Sequence, residues 1–142
     1  MQLVRLIYSS KLSPNTAPQE LARIHHAALS NNAKVGVTGT LVFGNDQFIQ
    51  YIEGSRVEVN HLFNLIQSDK RHQELLILDF TEITEREFEI WNMKLVLLTE
   101  ESPKLFRFTE KGSFEPSKMS AATALAFLRQ FKSNHGSDRV EK

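Results

Sequence analysis

Residues 3–9 are rich in Leu, Val, Ile and Tyr without a clean alternation, the pattern of an interior strand covered on both faces. The run Ser13-Pro14-Asn15-Thr16-Ala17-Pro18 interrupts it and offers Asn15 or Thr16 as a cap for a following helix. Leu21, Ile24, Ala28 and Leu29 then keep helical spacing, and that helix is expected to stop near Asn31-Asn32. Residues 37–43 and 47–52 are β-rich runs joined by Gly44-Asn45-Asp46, a hairpin connector because Gly and Asn accept positive φ. Val59, Leu62, Phe63 and Ile66 mark a second amphipathic helix ending by Asp69.

Residues 75–80 and 88–97 supply two more strands, separated by the charged Thr84-Glu85-Arg86-Glu87. The order βαββαββ predicts an α+β, ferredoxin-like sheet with two helices on one face. After Pro103 comes a short segment through Phe108. The stripe of Met119, Ala122, Leu125, Leu128 and Phe131 then predicts a third helix that covers the remaining sheet face. The expected organisation is a sheet domain over residues 1–98, a C-terminal helical extension over 99–132 packing on the sheet, and a frayed, disordered polar tail over 133–142. The stretch after position 98 is too short for a catalytic output domain.

Composition narrows the class. A chain of 142 residues buries roughly two thirds of its unfolded surface as one domain, with no metal or disulfide required. The absence of cysteine removes thiolate metal sites and cysteine nucleophiles, and fits a cytoplasmic location. The N-terminus has no secretory pattern, and no apolar run approaches the roughly 18–20 residues of a membrane span. Lys plus Arg and Asp plus Glu each total 17, so no net field draws nucleic acid or an anionic membrane. Lys70-Arg71-His72 reads as a solvated helix end. His25 and His26 face about 100° apart on a helix and do not share a metal, and both read as exposed or capped.

Candidate chemistry lies in Tyr8, Asn31-Asn32, Gln50, Trp91 and Met93. Singly, each has an ordinary structural role: core aromatics with a satisfied polar handle, a helix C-cap, a solvent-facing strand amide, a gap filler. Together they form a pattern with Arg5-Leu6-Ile7-Tyr8-Ser9-Ser10, Thr38-Gly39-Thr40-Leu41, Phe48-Ile49-Gln50-Tyr51-Ile52-Glu53-Gly54, Asp69-Lys70-Arg71-His72 and Phe88-Glu89-Ile90-Trp91-Asn92-Met93. Over residues 2–98 this pattern resembles the BLUF family of blue-light photoreceptors, and the C-terminal helix is similar to that of its short, stand-alone members.

The resemblance implies FAD as cofactor, with FMN or riboflavin as substitutes because recognition centres on the isoalloxazine and ribityl part. It places Asn31 and Asn32 along the ring's carbonyl and imide edge, Gln50 between Tyr8 and the ring, and Ile24 and Ile66 on the two ring faces. Asp69 and His72 match peripheral pocket positions. In the family, blue light drives loss of an electron and then a proton from the tyrosine matching Tyr8. Their return leaves the glutamine amide rearranged, by rotation or tautomerisation, and the absorption red-shifted until dark relaxation. Trp91 and Met93, two apart on a strand and therefore on one face, would exchange as the residue packed inward. One departure is Leu65, where many relatives carry a basic side chain toward the flavin C2 carbonyl.

The resulting expectation is a non-enzymatic photoreceptor that modulates an unidentified regulatory protein and forms a homo-oligomer through an exposed sheet edge or helix stripe. Nucleic acid and membrane are not expected as direct partners. The rivals are a small hydrolase of the acyl-phosphate type and a light-insensitive binding module. The hydrolase would need an anion-binding loop, and Ser9-Ser10-Lys11-Leu12-Ser13 lacks both arginine and glycine.

Overall fold

The computed structural model describes residues 2–17, 19–88, 93–98, 107–109 and 112–132. Strand β1 (Leu3–Leu12) is followed by helix α1 (Glu20–Val35), strands β2 (Thr38–Gly44) and β3 (Gln47–Ser55), helix α2 (Arg56–Gln67), and strands β4 (His72–Ile83) and β5 (Lys94–Leu97). A 3-10 turn (Pro116–Lys118) leads into helix α3 (Ala121–Arg129). The five strands form one sheet in the order β4-β1-β3-β2-β5. Neighbours are antiparallel except β2 and β5, which run parallel. This is the expected ferredoxin-like α+β arrangement.

β1 lies between β4 and β3, which is why its sequence is apolar without alternation: its two faces feed two different cores. Leu6 and Tyr8 point toward α1 and α2, where Ile24, Val59 and Leu62 close over them. Ile7 points the other way, and there Val42, Ile49, Tyr51 and Val96 meet Phe127, Leu128 and Phe131 of the C-terminal region. Phe127 stacks edge-on against Phe131, with ring centres 5.3 Å apart, so α3 covers the sheet face opposite the first two helices.

Several boundaries differ from the sequence expectation. α1 begins at Glu20 without a side-chain cap, so neither Asn15 nor Thr16 serves as one. It continues past Asn31-Asn32 for another turn, because Ala33, Lys34 and Val35 tolerate helix and the stop is Gly36, at φ +69°. The Asn45-Asp46 pair has φ of 51° and 55°, and Gly44 pairs with Gln47. The hairpin is thus a two-residue turn of the mirror-image kind, which fits strand twist, and Gly44 belongs to the strand. β4 starts earlier than expected, at His72. β5 is shorter, spanning only Lys94–Leu97. Residues 89–92, including Trp91, and the expected tail 133–142 lie outside the described residues.

After β4, Glu87 and Phe88 are tied down by Glu53, which is fully buried. Its carboxylate accepts from Thr38 Oγ1 at 2.9 Å, Tyr51 Oη at 3.0 Å, and the backbone N–H groups of Glu87 and Phe88 at 2.8 and 2.6 Å. A buried carboxylate is tolerable with that many donors. The Glu87 side chain reaches the other way, pairing with Arg129 at 2.8 Å and Lys132 at 3.1 Å. The Arg129 hydrogen bond holds the Glu87 carboxyl below its ordinary pKa, against the opposing effect of burial, and Lys132 adds to it. Glu87 is therefore held by the sheet through its backbone and by Arg129 of α3 and Lys132 beyond it through its side chain.

Candidate functional site

A cleft opens between α1 and α2 above the centre of the sheet. It encloses about 690 Å³ of non-protein space, part of it open to solvent. Tyr8, Leu41, Gln50 and Ile52 form its floor. Ile24, Ala27, Ala28, Asn31 and Asn32 line one wall, positions that share a face of a helix by their spacing. Leu62, Leu65 and Ile66 of α2 line the other, and Asp69, Arg71 and His72 close one end.

Tyr8 and Gln50 meet because β1 and β3 place them directly opposite each other in the antiparallel register. Tyr8 is fully buried, with its ring edge-on to Phe63 at 5.5 Å, and its hydroxyl donates to Gln50 Oε1. Burial first, and the Asp69 charge second, push the Tyr8 phenol well above its ordinary pKa, so it stays neutral in any physiological medium. Gln50, also buried, uses its other end as a donor: Nε2 reaches Met93 Sδ at 3.4 Å. Gln50 is therefore not the solvent-facing strand residue that its sequence position alone would suggest. Met93 is 2% exposed and packs into the same core as Tyr8.

Asn32 is buried, Asn31 is exposed at the cleft rim, Ile24 is buried, and Ile66 is half-buried across from it. Asp69 is held in a bifurcated pair with Arg71, with Nη2 to Oδ2 at 2.7 Å and Nε to Oδ1 at 3.0 Å. Burial alone would raise the Asp69 carboxyl, but the Arg71 hydrogen bonds outweigh it and hold it below its ordinary pKa. His72 is buried against Phe48, ring centres 4.7 Å apart, with Nδ1 3.0 Å from Ser10 Oγ. Burial depresses its pKa despite the favourable Asp69 charge, so the imidazole is neutral near pH 7.

Lys70-Arg71-His72 is thus not a uniformly solvated helix end. Arg71 bridges Asp69 and, at 3.5 Å, Glu20 of α1, and His72 is the first residue of β4. Sequence reasoning passed over Arg71 because its acidic partners are only partly local. The clue was Asp69 two residues earlier. It also passed over His25, whose Nε2 donates to the Met93 backbone carbonyl at 2.8 Å. Position 25 lies four residues after Leu21 and three before Ala28, on the edge of the apolar stripe. Leu65 does line the cleft, 48% exposed, and supplies no donor there. Among the described residues no cluster of acidic and histidine side chains is arranged to hold a metal ion, and no helix is long and apolar enough to cross a membrane.

The residues present suit a flavin. Apolar side chains face each other across a slot between Ile24 and Ile66, and the amides of Asn31, Asn32 and Gln50 offer both donors and acceptors. That combination matches a ring system with flat apolar faces and an edge of carbonyls and an imide N–H.

Comparison with known proteins agrees. The family profile described as BLUF, sensors of blue-light using FAD, matches residues 3–94. The alpha subunit of photoactivated adenylate cyclase from Euglena gracilis is 36% identical over 98 residues, 66% of this chain and 9% of that protein. The beta subunit from the same organism is 36% identical over 94 residues, 65% of this chain and 11% of that protein. The chain therefore spans only about a tenth of the length of these relatives, and cyclase activity is a property of those proteins. Among solved structures, BlsA in its photo-activated state superposes with a TM-score of 0.83 at 26% identity, covering 95% of this chain and 98% of that one. BlrB, a BLUF protein in its dark state, gives 0.73 at 30% identity, covering 91% and 93%. With its slot, its buried Tyr8–Gln50 pair and a family match over residues 3–94, the chain belongs to the BLUF family of flavin-binding blue-light sensors that use FAD.

Proposed function

We propose that the protein is a non-enzymatic light switch in which Tyr8 and Gln50 carry the photochemistry and β5 carries the outcome to α3 and a downstream regulatory protein. The observation that carries this reading is the continuous row from Tyr8 Oη through both ends of the Gln50 amide to Met93 Sδ. FAD supplies the blue-light absorption and the electron acceptor. Tyr8 gives up an electron. Its phenolic proton, no longer held by a neutral ring, leaves Oη toward Gln50 Oε1, the acceptor it already engages. When electron and proton return, Gln50 is left with its carbonyl and NH₂ ends exchanged in role, a change that creates no buried charge. Met93 Sδ then loses its donor.

Asn31 and Asn32 orient the ring edge in this proposal, Ile24 and Ile66 hold its faces and exclude water, and Asp69 with His72 closes the cleft end. Recognition through the ring side lets FMN or riboflavin substitute. Residues 1–98 form the sensor and 99–132 the output extension. The protein acts in the cytoplasm and self-associates. The exposed Leu76, Ile77 and Phe80 on the edge strand β4 support that association. The hydrolase reading has no comparable support: β1 continues through Leu12, so most of the segment that would have to cradle an anion is strand.

Output follows from strand geometry. Successive residues point to opposite faces, so Met93 faces Gln50 while Lys94, itself buried, faces α3, where Nζ donates to the Phe131 carbonyl at 2.8 Å. A shift of Met93 displaces Lys94 and loosens the end of α3, moving the population toward a form with a different partner surface. Hydrogen exchange in darkness and under blue light tests this. Amides of 124–131 are expected to exchange at least several-fold faster in light. Lys94→Leu should keep the absorption shift and lose the light-dependence of exchange. Equal α3 exchange in both states of the wild type would count against this route.

A further inference from the structure

We propose that His25 is a positioning residue that holds Met93 over Gln50 and so sets the lifetime of the light state, an inference that rests on the switch reading above. Met93 sits one residue before β5, whose pairing with β2 begins at Thr40 opposite Lys94. It therefore precedes the paired stretch, yet it is almost fully buried. Two contacts locate it. Its backbone carbonyl accepts from His25 Nε2 at 2.8 Å, and its sulfur accepts from Gln50 Nε2 at 3.4 Å. His25 belongs to α1, the helix whose Ile24 and Asn32 line the cleft, so the wall of the site and the place of Met93 are fixed by one rigid element.

The energetics favour a role for the anchor. A thioether is a weak, adaptable acceptor on a flexible side chain, and it rewards one Gln50 orientation over the other only if it is kept in place. With Nε2 as the donor, His25 does that through the backbone, at the carbonyl of the peptide that joins Met93 to Lys94, the first residue of β5. Removing the donor lets Met93 wander, strips the dark orientation of Gln50 of its second partner, and brings the two orientations closer in free energy. Return from the red-shifted state then has less driving force. Loss of one net hydrogen bond corresponds to recovery slowed about three- to tenfold.

The test uses the full chain with FAD bound, comparing wild type, His25→Leu and His25→Gln by dark-recovery kinetics and by ¹³C-methyl NMR of the three methionines. Leucine fills space without a donor. Glutamine places an amide N–H near where the imidazole places Nε2–H. The expected result is slowed recovery and a moved Met93 methyl signal in His25→Leu, an unmoved Met119 signal, and near wild-type behaviour in His25→Gln. Wild-type recovery with an unmoved Met93 signal in flavin-bound His25→Leu would overturn the proposal. If His25→Leu does not fold, the wild type decides alone: a His25 Nε2 proton protected from exchange in darkness supports the anchor, and a freely exchanging one overturns it. A wild type that binds flavin and never red-shifts would instead remove the switch reading, while the Met93 methyl comparison would still judge whether His25 holds Met93.

Discussion

Tyr8→Phe is expected to bind flavin and stay yellow yet form no red-shifted state under blue light, a complete loss of photocycle rather than a slowing. The argument is electrostatic and geometric. The phenol is fully buried and held neutral far above its ordinary range, so it does not act as a simple base or anion. It becomes a strong acid only on losing an electron, and its hydroxyl donates to Gln50 Oε1. Phenylalanine keeps the packing against Phe63 and removes the transferable proton and the partner of Oε1. Leaving that buried oxygen unpaired costs about 1–3 kcal/mol, so the variant should melt several degrees lower but still fold. Flash illumination followed by absorption spectroscopy is the check, and an unchanged photocycle would dismiss Tyr8 as donor.

Gln50→Ala carries the second large effect. Gln50 is the one residue joined both to Tyr8 and to Met93 among the described contacts. Its two amide ends have opposite hydrogen-bonding roles, so their exchange reverses every partner relationship without moving a charge. Alanine should retain flavin, because Asn31, Asn32 and the apolar walls remain, and should lose the red shift entirely. The orphaned Tyr8 hydroxyl costs about 1–3 kcal/mol, and the void left by the side chain adds to that, so the stability loss should exceed that of Tyr8→Phe. Thermal melts and difference spectra on the same sample separate the two effects. Persistence of the full shift would rule Gln50 out as the switch.

Much of this molecule is legible in the chain, for identifiable reasons. The apolar run in β1 shows an interior strand because both faces of the sheet are covered, and Asn45-Asp46 shows its turn because few other residues accept positive φ at both positions. The stripe through Leu128 and Phe131 likewise marks a helix with a face to bury, but only in part: Leu128 is buried in α3, Phe131 is buried just beyond its end, and Ala122 is exposed while Ala124 and Phe127 point inward. Other features depend on distant partners. The end of α1 was misplaced because Asn31-Asn32 resembles a cap locally, while the stop depends on the left-handed conformation of Gly36. The Tyr8–Gln50 contact follows from the β1–β3 register, which joins residues 42 apart in sequence and leaves no local trace. His25 and Arg71 look like surface residues until α1 meets Met93 and until Glu20 meets the turn before β4. The resemblance across the whole pattern implies roles for Asn31, Asn32, Ile24 and Ile66 around one ring, and these four side chains line one cleft; it assigns none to His25 or Arg71.

The visible absorption spectrum of the purified protein, taken in darkness, after blue light and through dark recovery, tests the central claim most directly. The account predicts a flavin band that shifts to the red on illumination and returns in darkness. A protein that stays colourless after FAD is added, or a yellow one whose band never moves, would contradict it.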